Sequence, residues 1–212
     1  MNANEKANQE AEDFVLENEL PRATPTIQKA VADILDAGWH PYITNICGSF
    51  AGFKVIEHEA CAAIDIAKRD LPDPIHTKKY LESLDLVCES HWNYSGELAP
   101  DDEPDSHFHC VDIWWLAQER GFDIGALAKA VAMHETADCT KGSASLNNCF
   151  GIKRNHLFVE YETKEESYKD FMVTWLKYYK NLPDQRAAER WSGNDRSEVW
   201  LKNVNSFYYD QI

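Results

Sequence analysis

The chain has 212 residues, 44% of them hydrophobic, with 21 Lys+Arg against 36 Asp+Glu and a formal net charge of −15. That length suits one or two domains and buries a real core. The acidic balance leaves no basic footprint for nucleic acid, and no apolar run reaches the roughly 18 residues of a membrane span.

The charge is uneven. Residues 1–120 hold 9 Lys+Arg and 23 Asp+Glu, whereas residues 121–212 hold 12 and 13. The asymmetry predicts two differently built parts. The start, MNANEKANQEAEDF, has neither the basic opening nor the apolar stretch of a signal peptide. Residues 1–20 read as a mobile acidic arm, with a short helix through Phe14, Val15 and Leu16.

Thr24-Pro25 opens a helix, Thr as N-cap and Pro at the first helical position. Its apolar face is Ile27, Val31, Ile34 and Leu35, and Gly38 stops it. Residues 40–47, HPYITNIC, read as a strand, and a buried strand is expected around 62–66. Pro72-Asp73-Pro74 reads as a loop. Residues 77–88 are helical in pattern, 95–106 form an acidic loop, and 111–120 look helical up to Gly121.

Asp123 is an N-cap for the next helix, whose stripe is Ile124, Leu127, Ala128 and Val131. Glu135 continues that stripe. A carboxyl on a buried face near a helix C-terminus is pushed toward its protonated form by desolvation and by the helix dipole. Such a group can serve as a general acid. The bland alternative is a helix that ends early, with Glu135 facing water. Further on, Thr163-x-x-Glu166 is a capping box for a helix with the stripe Tyr168, Phe171, Met172, Trp175 and Tyr179. These aromatics read as core rather than as a sugar platform.

The ordered set HETADC, NNCFGIK and FVEYETKEESYKDF, with the tail AERWSGND…WLKNVNSFYY, resembles the lysozyme-like superfamily. It is most similar to the glucosaminidase branch, which cleaves peptidoglycan glycan strands. The resemblance covers residues 122–212. It implies that Glu135 is the general acid and that Asn148, Gly151 and Lys153 belong to a substrate-binding turn. Tyr161 and Glu160 become candidates for glycan contact or for handling the second charge. This part needs no cofactor.

A second constellation lies upstream. His58-x-x-Cys61-x-Ala63-x-Asp65 is followed by His107 and His109 in EPDSHFHCVD. Two His and one Asp with an open fourth position suit a catalytic zinc ion, and Asp105 or Glu103 could activate its water. The order resembles the zinc D,D-carboxypeptidase and L-alanyl-D-glutamate peptidase family. That resemblance favours His107 as third ligand, because it precedes Phe108. Departures from the family are plain: Cys61 replaces a Gly, CGSF lacks the usual Arg, and the acid expected three residues before the ligand is Pro104 or Ser106. A degenerate, metal-free domain is the alternative.

Six cysteines, at 47, 61, 88, 110, 139 and 149, include no CxxC pair, which argues against a zinc ribbon. Cys139 and Cys149 flank the loop after Glu135 and are expected to be bonded; the other four are left open. The expected fold is α+β, a small mixed domain at 21–120 followed by a mainly helical, lysozyme-like domain at 121–212. The expected function is peptidoglycan cleavage by a phage lytic enzyme or a secreted wall hydrolase, acting outside the cytoplasm. The rivals are a zinc peptidase with a helical targeting module and a non-enzymatic wall-binding or virion structural protein.

Overall fold

Residues 13–38, 43–47, 56–68, 71, 73–92 and 97–212 are described by the computed structural model. The fold is α+β and divides into two compact units, Met1–Trp115 and Leu116–Ile212. Among the described residues no helix is long and apolar enough to cross a membrane.

In the first unit Pro25–Asp36 forms helix α1, and the Thr24 hydroxyl accepts the N–H of Ile27. Its buried face is Ile27, Ala30, Val31 and Ile34. Strand β1 is Ile43–Asn45, α2 is the short Ile56–Glu59, and β2 is Ala63–Ala67. Pro74–Glu82 is α3, Leu86–Trp92 is β3 and Ser106–Asp112 is β4. The four strands form one antiparallel sheet in the order β1-β2-β4-β3. One sheet face carries Ile64, Ile66, Cys88, Phe108 and Cys110 into a core shared with Ile27, Val31 and Ile34. Each apolar side chain of this size contributes about 1.5–3 kcal/mol by leaving water.

Several expectations are corrected here. Residues 1–12 lie outside the described residues, but 13–18 are helical and Val15 is buried in the core. The Glu19 carboxylate accepts the N–H groups of Ile46 and Cys47 at 2.7 and 2.8 Å. This part of the expected arm is therefore packed. The helix expected at 77–88 begins earlier, because Pro74 takes the first helical position and the Asp73 carboxylate caps it. It ends at Glu82; Asp85 turns the chain with φ 63, and residues 86–88 enter β3. Strand β4 likewise extends to Asp112, whose carboxylate accepts the N–H of Trp114 at 2.8 Å and starts helix α4, Ile113–Glu119. Residues 40–42 of the expected 40–47 strand lie outside the described residues, as does Pro72.

In the second unit Ile124–Thr136 is α5, capped by the Asp123 carboxylate at the N–H of Ala126. Ala137, Asp138 and Cys139 then take positive φ values of 47, 57 and 60°, which ends the helix abruptly. A two-residue hairpin, β5 Lys153–Arg154 and β6 Leu157–Phe158, turns through Asn155 and His156, both with positive φ. Two consecutive positive φ values are what a tight hairpin turn requires. Helices α6, Lys164–Tyr178, α7, Gln185–Ser192, and α8, Ser197–Tyr209, complete the unit. Thr163 caps α6 as expected, but the Glu166 carboxylate accepts the N–H of Glu162 rather than that of Thr163. Phe171, Met172 and Trp175 of its stripe are core, while Tyr168 and Tyr179 are half-buried.

Three disulfides link Cys47 to Cys61, Cys88 to Cys110, and Cys139 to Cys149. The Cys139–Cys149 pair, with Cα atoms 4.6 Å apart, closes the loop after Glu135. Closing so short a loop should contribute about 2–3 kcal/mol on the chain-entropy model. The Cys139→Ala/Cys149→Ala protein should lose that much in denaturant unfolding while keeping its circular dichroism. An unchanged unfolding midpoint would show that the bridge does not constrain the chain.

Candidate functional sites

The first site lies on the other face of the four-stranded sheet. Side chains alternate along a strand, so β4 sends Phe108 and Cys110 to the core and His107, His109 and Val111 to the opposite face. Register then assembles rows across three strands: Ala67, His107 and His91 in one; Asp65, His109 and Glu89 in the next. Directly opposed residues have Cβ atoms about 4.5–5.5 Å apart. Helix α2 adds His58, whose ring lies 5.0 Å from that of His109.

His58, Asp65 and His109 offer ligand atoms within 4.8 Å of one another, so this group could hold a metal ion. The His58 Nδ1 lies 3.0 Å from the carbonyl oxygen of Ile46. A carbonyl only accepts, so Nδ1 carries the hydrogen and Nε2 keeps the lone pair of the neutral ring. That Nε2 is buried without a hydrogen-bond partner, yet sits 3.1 Å from Asp65 Oδ2. Two lone-pair atoms facing each other at that distance require a cation between or upon them, a proton or a metal. The backbone contact that fixes the ring's tautomer is the kind of support metal-ligating histidines receive. On this observation the residues fit a metal.

The electrostatics agree. Burial works against the charged His58 ring, but the Asp65 contact and charge outweigh it and raise its proton affinity above the ordinary value. Burial also works against the Asp65 carboxylate, but His109 and His58 hold it well below the usual carboxylate range. Burial lowers His107, with Asp65 only partly compensating. A metal and a proton compete for His58 Nε2, so metal affinity should begin to fall at a pH above that of an ordinary imidazole. Below that point the loss should be about tenfold per pH unit. Zinc titrations from pH 8 to pH 5 test this; a flat profile would exclude His58 as ligand.

His109, not the expected His107, completes the group. The cross-strand partner of Asp65 is His109, at 2.8 Å from Nδ1 to Oδ1, while His107 Nε2 stands 3.9 Å from the same oxygen. Asp105 is exposed in the turn before β4, its N–H donating to Glu103 Oε1; neither acid belongs to the group. Two neighbours escaped the sequence reading, Glu89 and His91. Their signal was partial: in LVCESHW the residues at 89 and 91 alternate with Cys88 and Ser90, a strand pattern that begins within the 77–88 stretch read as helix and runs past its end.

The second site is built around Glu135. It lies in the last turn of α5, and its Oε1 accepts two indole N–H groups, from Trp200 at 2.7 Å and Trp191 at 3.1 Å. An indole N–H is a donor only, so Oε1 acts here purely as an acceptor, and Oε2 lies outside these two contacts. Oε2 faces Gly151: a Cβ built there would stand 3.7 Å from it. Gly151 also has φ +67, which a side chain would strain. Glu135, Gly151, Lys153, Phe158, Trp191 and Trp200 are among the residues lining a cavity of about 640 Å³.

The other residues expected in this region take different places. Asn148 is fully buried, with its amide donating to the carbonyls of Ile152 and Val159 and its oxygen accepting the Ile152 N–H. It holds the turn that presents Gly151. The Tyr161 hydroxyl donates to Asp170, and burial first, then that carboxylate, raise its pKa. Neither Tyr161 nor the exposed Glu160 lines the cavity.

Comparison with protein-family models, curated proteins and solved structures finds no match to this chain.

Proposed function

We propose that the chain cleaves the glycan strand of peptidoglycan, with Glu135 as general acid. The observation that carries this reading is the setting of Glu135: one oxygen immobilised by two indoles, the other turned toward a cavity with aromatic walls. A fixed carboxyl beside a cleft of sugar size is what protonation of a glycosidic oxygen needs. Trp191 and Phe158 supply flat apolar surfaces against which sugar rings pack. The test is clearance of purified cell walls followed by mass spectrometry of the released fragments. New reducing ends would identify a glycosidase and anhydro ends a lytic transglycosylase. No glycan release would overturn the reading and leave a zinc peptidase or a wall-binding or virion structural protein.

A second reading is favoured by the buried His58–Asp65–His109 group. We propose that it holds zinc and that this unit cleaves stem peptide. When bound, zinc supplies Lewis acidity and a water of lowered pKa. Here His58 and Asp65 would fix the ion against the sheet, and His109 would bind it from the neighbouring strand. New amines among the released fragments would support this activity, and their absence would count against it. Three disulfides persist best in oxidising surroundings, which supports action outside the cytoplasm.

A further inference from the structure

We propose that Lys153, Arg190 and Arg196 make the Glu135 cavity a receptor for a carboxylate-bearing glycan. The inference rests on the glycan-cleaving reading and names the substrate feature that the cavity selects.

The chain as a whole carries a net charge of −15, yet these three cations line a cavity in which Glu135 is the only acid among the described lining residues. Among the described residues no ion pair joins any of the three to a carboxylate. Arg154, next to Lys153, is by contrast paired with Asp170 at 2.8 Å. Two of the three make contacts with rings: Lys153 Nζ lies 4.6 Å from the centre of Phe158, and the Arg190 guanidinium 5.3 Å from that of Tyr179. A ring holds the flat face of a guanidinium and leaves its edge N–H groups for a bidentate partner.

Three unneutralised cations conflict with glycoside cleavage of a neutral sugar. The transition state builds positive charge on the sugar ring, and the cations lining its cavity repel that charge to the degree that solvent leaves them unscreened. The arrangement becomes favourable when the substrate brings its own anion. A carboxylate seated on the cations cancels the repulsion, and their field draws an anionic chain toward an otherwise acidic protein. The carboxylate could come from lactyl or stem-peptide groups on an amino-sugar strand, or from uronic acids within the chain.

The test uses the full chain carrying Glu135→Gln, so that binding is measured without turnover. Calorimetric titrations would compare peptidoglycan strands, the same strands with carboxyls reduced to alcohols, a uronic-acid polymer and a neutral β-1,4-linked N-acetylglucosamine oligomer. We expect the native strand to bind about tenfold or more tighter than the reduced one, the scale of one charge-assisted contact. Adding Arg190→Gln and Arg196→Gln should erase that difference; both positions are exposed, and unchanged circular dichroism would confirm the fold. Binding of the uronic-acid polymer as tight as that of the native strand would assign uronic acids as an accepted source. Binding of the native strand alone would assign the lactyl or peptide carboxylates. Equal affinity for native and reduced strands, binding of the neutral oligomer as tight as either, or no binding of any probe would overturn the proposal. Failure of the wild-type chain to release fragments from walls would sink the cleavage reading, while the titrations would still decide carboxylate recognition.

Discussion

Replacing Glu135 with Gln should reduce glycan release from cell walls by about 10²–10⁴-fold, the usual worth of a positioned general acid. The substitution keeps the shape of the side chain. Its carbonyl oxygen can still accept the indole N–H groups of Trp191 and Trp200, and its amide would take the place of Oε2 facing Gly151. On the proposed reading, what disappears is the proton that a leaving glycosidic oxygen requires. Thermal unfolding should change little, because Glu135 is only half-buried and its partners remain donors. The loss should fall on kcat with KM nearly unchanged, since proton transfer is made only in the transition state. Near-native release of reducing or anhydro ends by a folded Glu135→Gln protein would remove Glu135 from the mechanism.

The position of Glu135 was readable because it rests on local rules. Asp123 caps the helix, a 3.6-residue stripe follows, and Glu135 extends that stripe into the last turn. The two tryptophans that grip its carboxylate were not readable. They lie 56 and 65 residues downstream, on α7 and α8, and only tertiary packing brings them back. The same holds for Arg190 and Arg196, which in sequence are ordinary charged positions on polar segments. Asn148 illustrates the opposite error. The NNCFGIK turn was recognised, but a polar side chain in a turn can serve the backbone as readily as a ligand, and this one is spent on Ile152 and Val159.

In the first unit the misreadings share one cause. Residues 77–88 and 111–120 show helical spacing, yet each contains the end or start of a strand. Cys88 and Cys110 are directly opposed in β3 and β4 and bonded to each other. That pairing, invisible to periodicity, holds Leu86, Cys88 and Phe108 on one face of the sheet and Glu89, His91 and His109 on the other. Register also explains why His109 and not His107 meets Asp65. The resemblance to a zinc peptidase ranked the two by the residue that follows; the sheet ranks them by what lies across the strand.

The largest effect in the first unit should come from the His58–Asp65–His109 group, which could hold a metal ion. Purified without chelator, the full chain should contain about one zinc per chain. Asp65→Asn should weaken zinc binding by more than about 100-fold, since even residues that only support ligands are worth about 10–100-fold. Asn matches Asp in shape but removes the charge that both histidines address, at 2.8 Å from His109 and 3.1 Å from His58. Because Asp65 is buried, the substitution also disturbs the fold. His109→Ala, at a half-buried position on the same sheet face, gives an independent measure with little cost to the core. It should weaken zinc binding to a similar degree. His107→Ala should leave affinity within about tenfold, because its Nε2 stands 3.9 Å from Asp65 Oδ1 and outside the three-residue group. Zinc content by elemental analysis and competition titration with a chromophoric chelator would give all three numbers. A wild-type chain that neither retains nor takes up zinc would leave the His58 Nε2 to a proton alone. A His107→Ala loss equal to that of His109→Ala would move the site one register step along β4, toward His91.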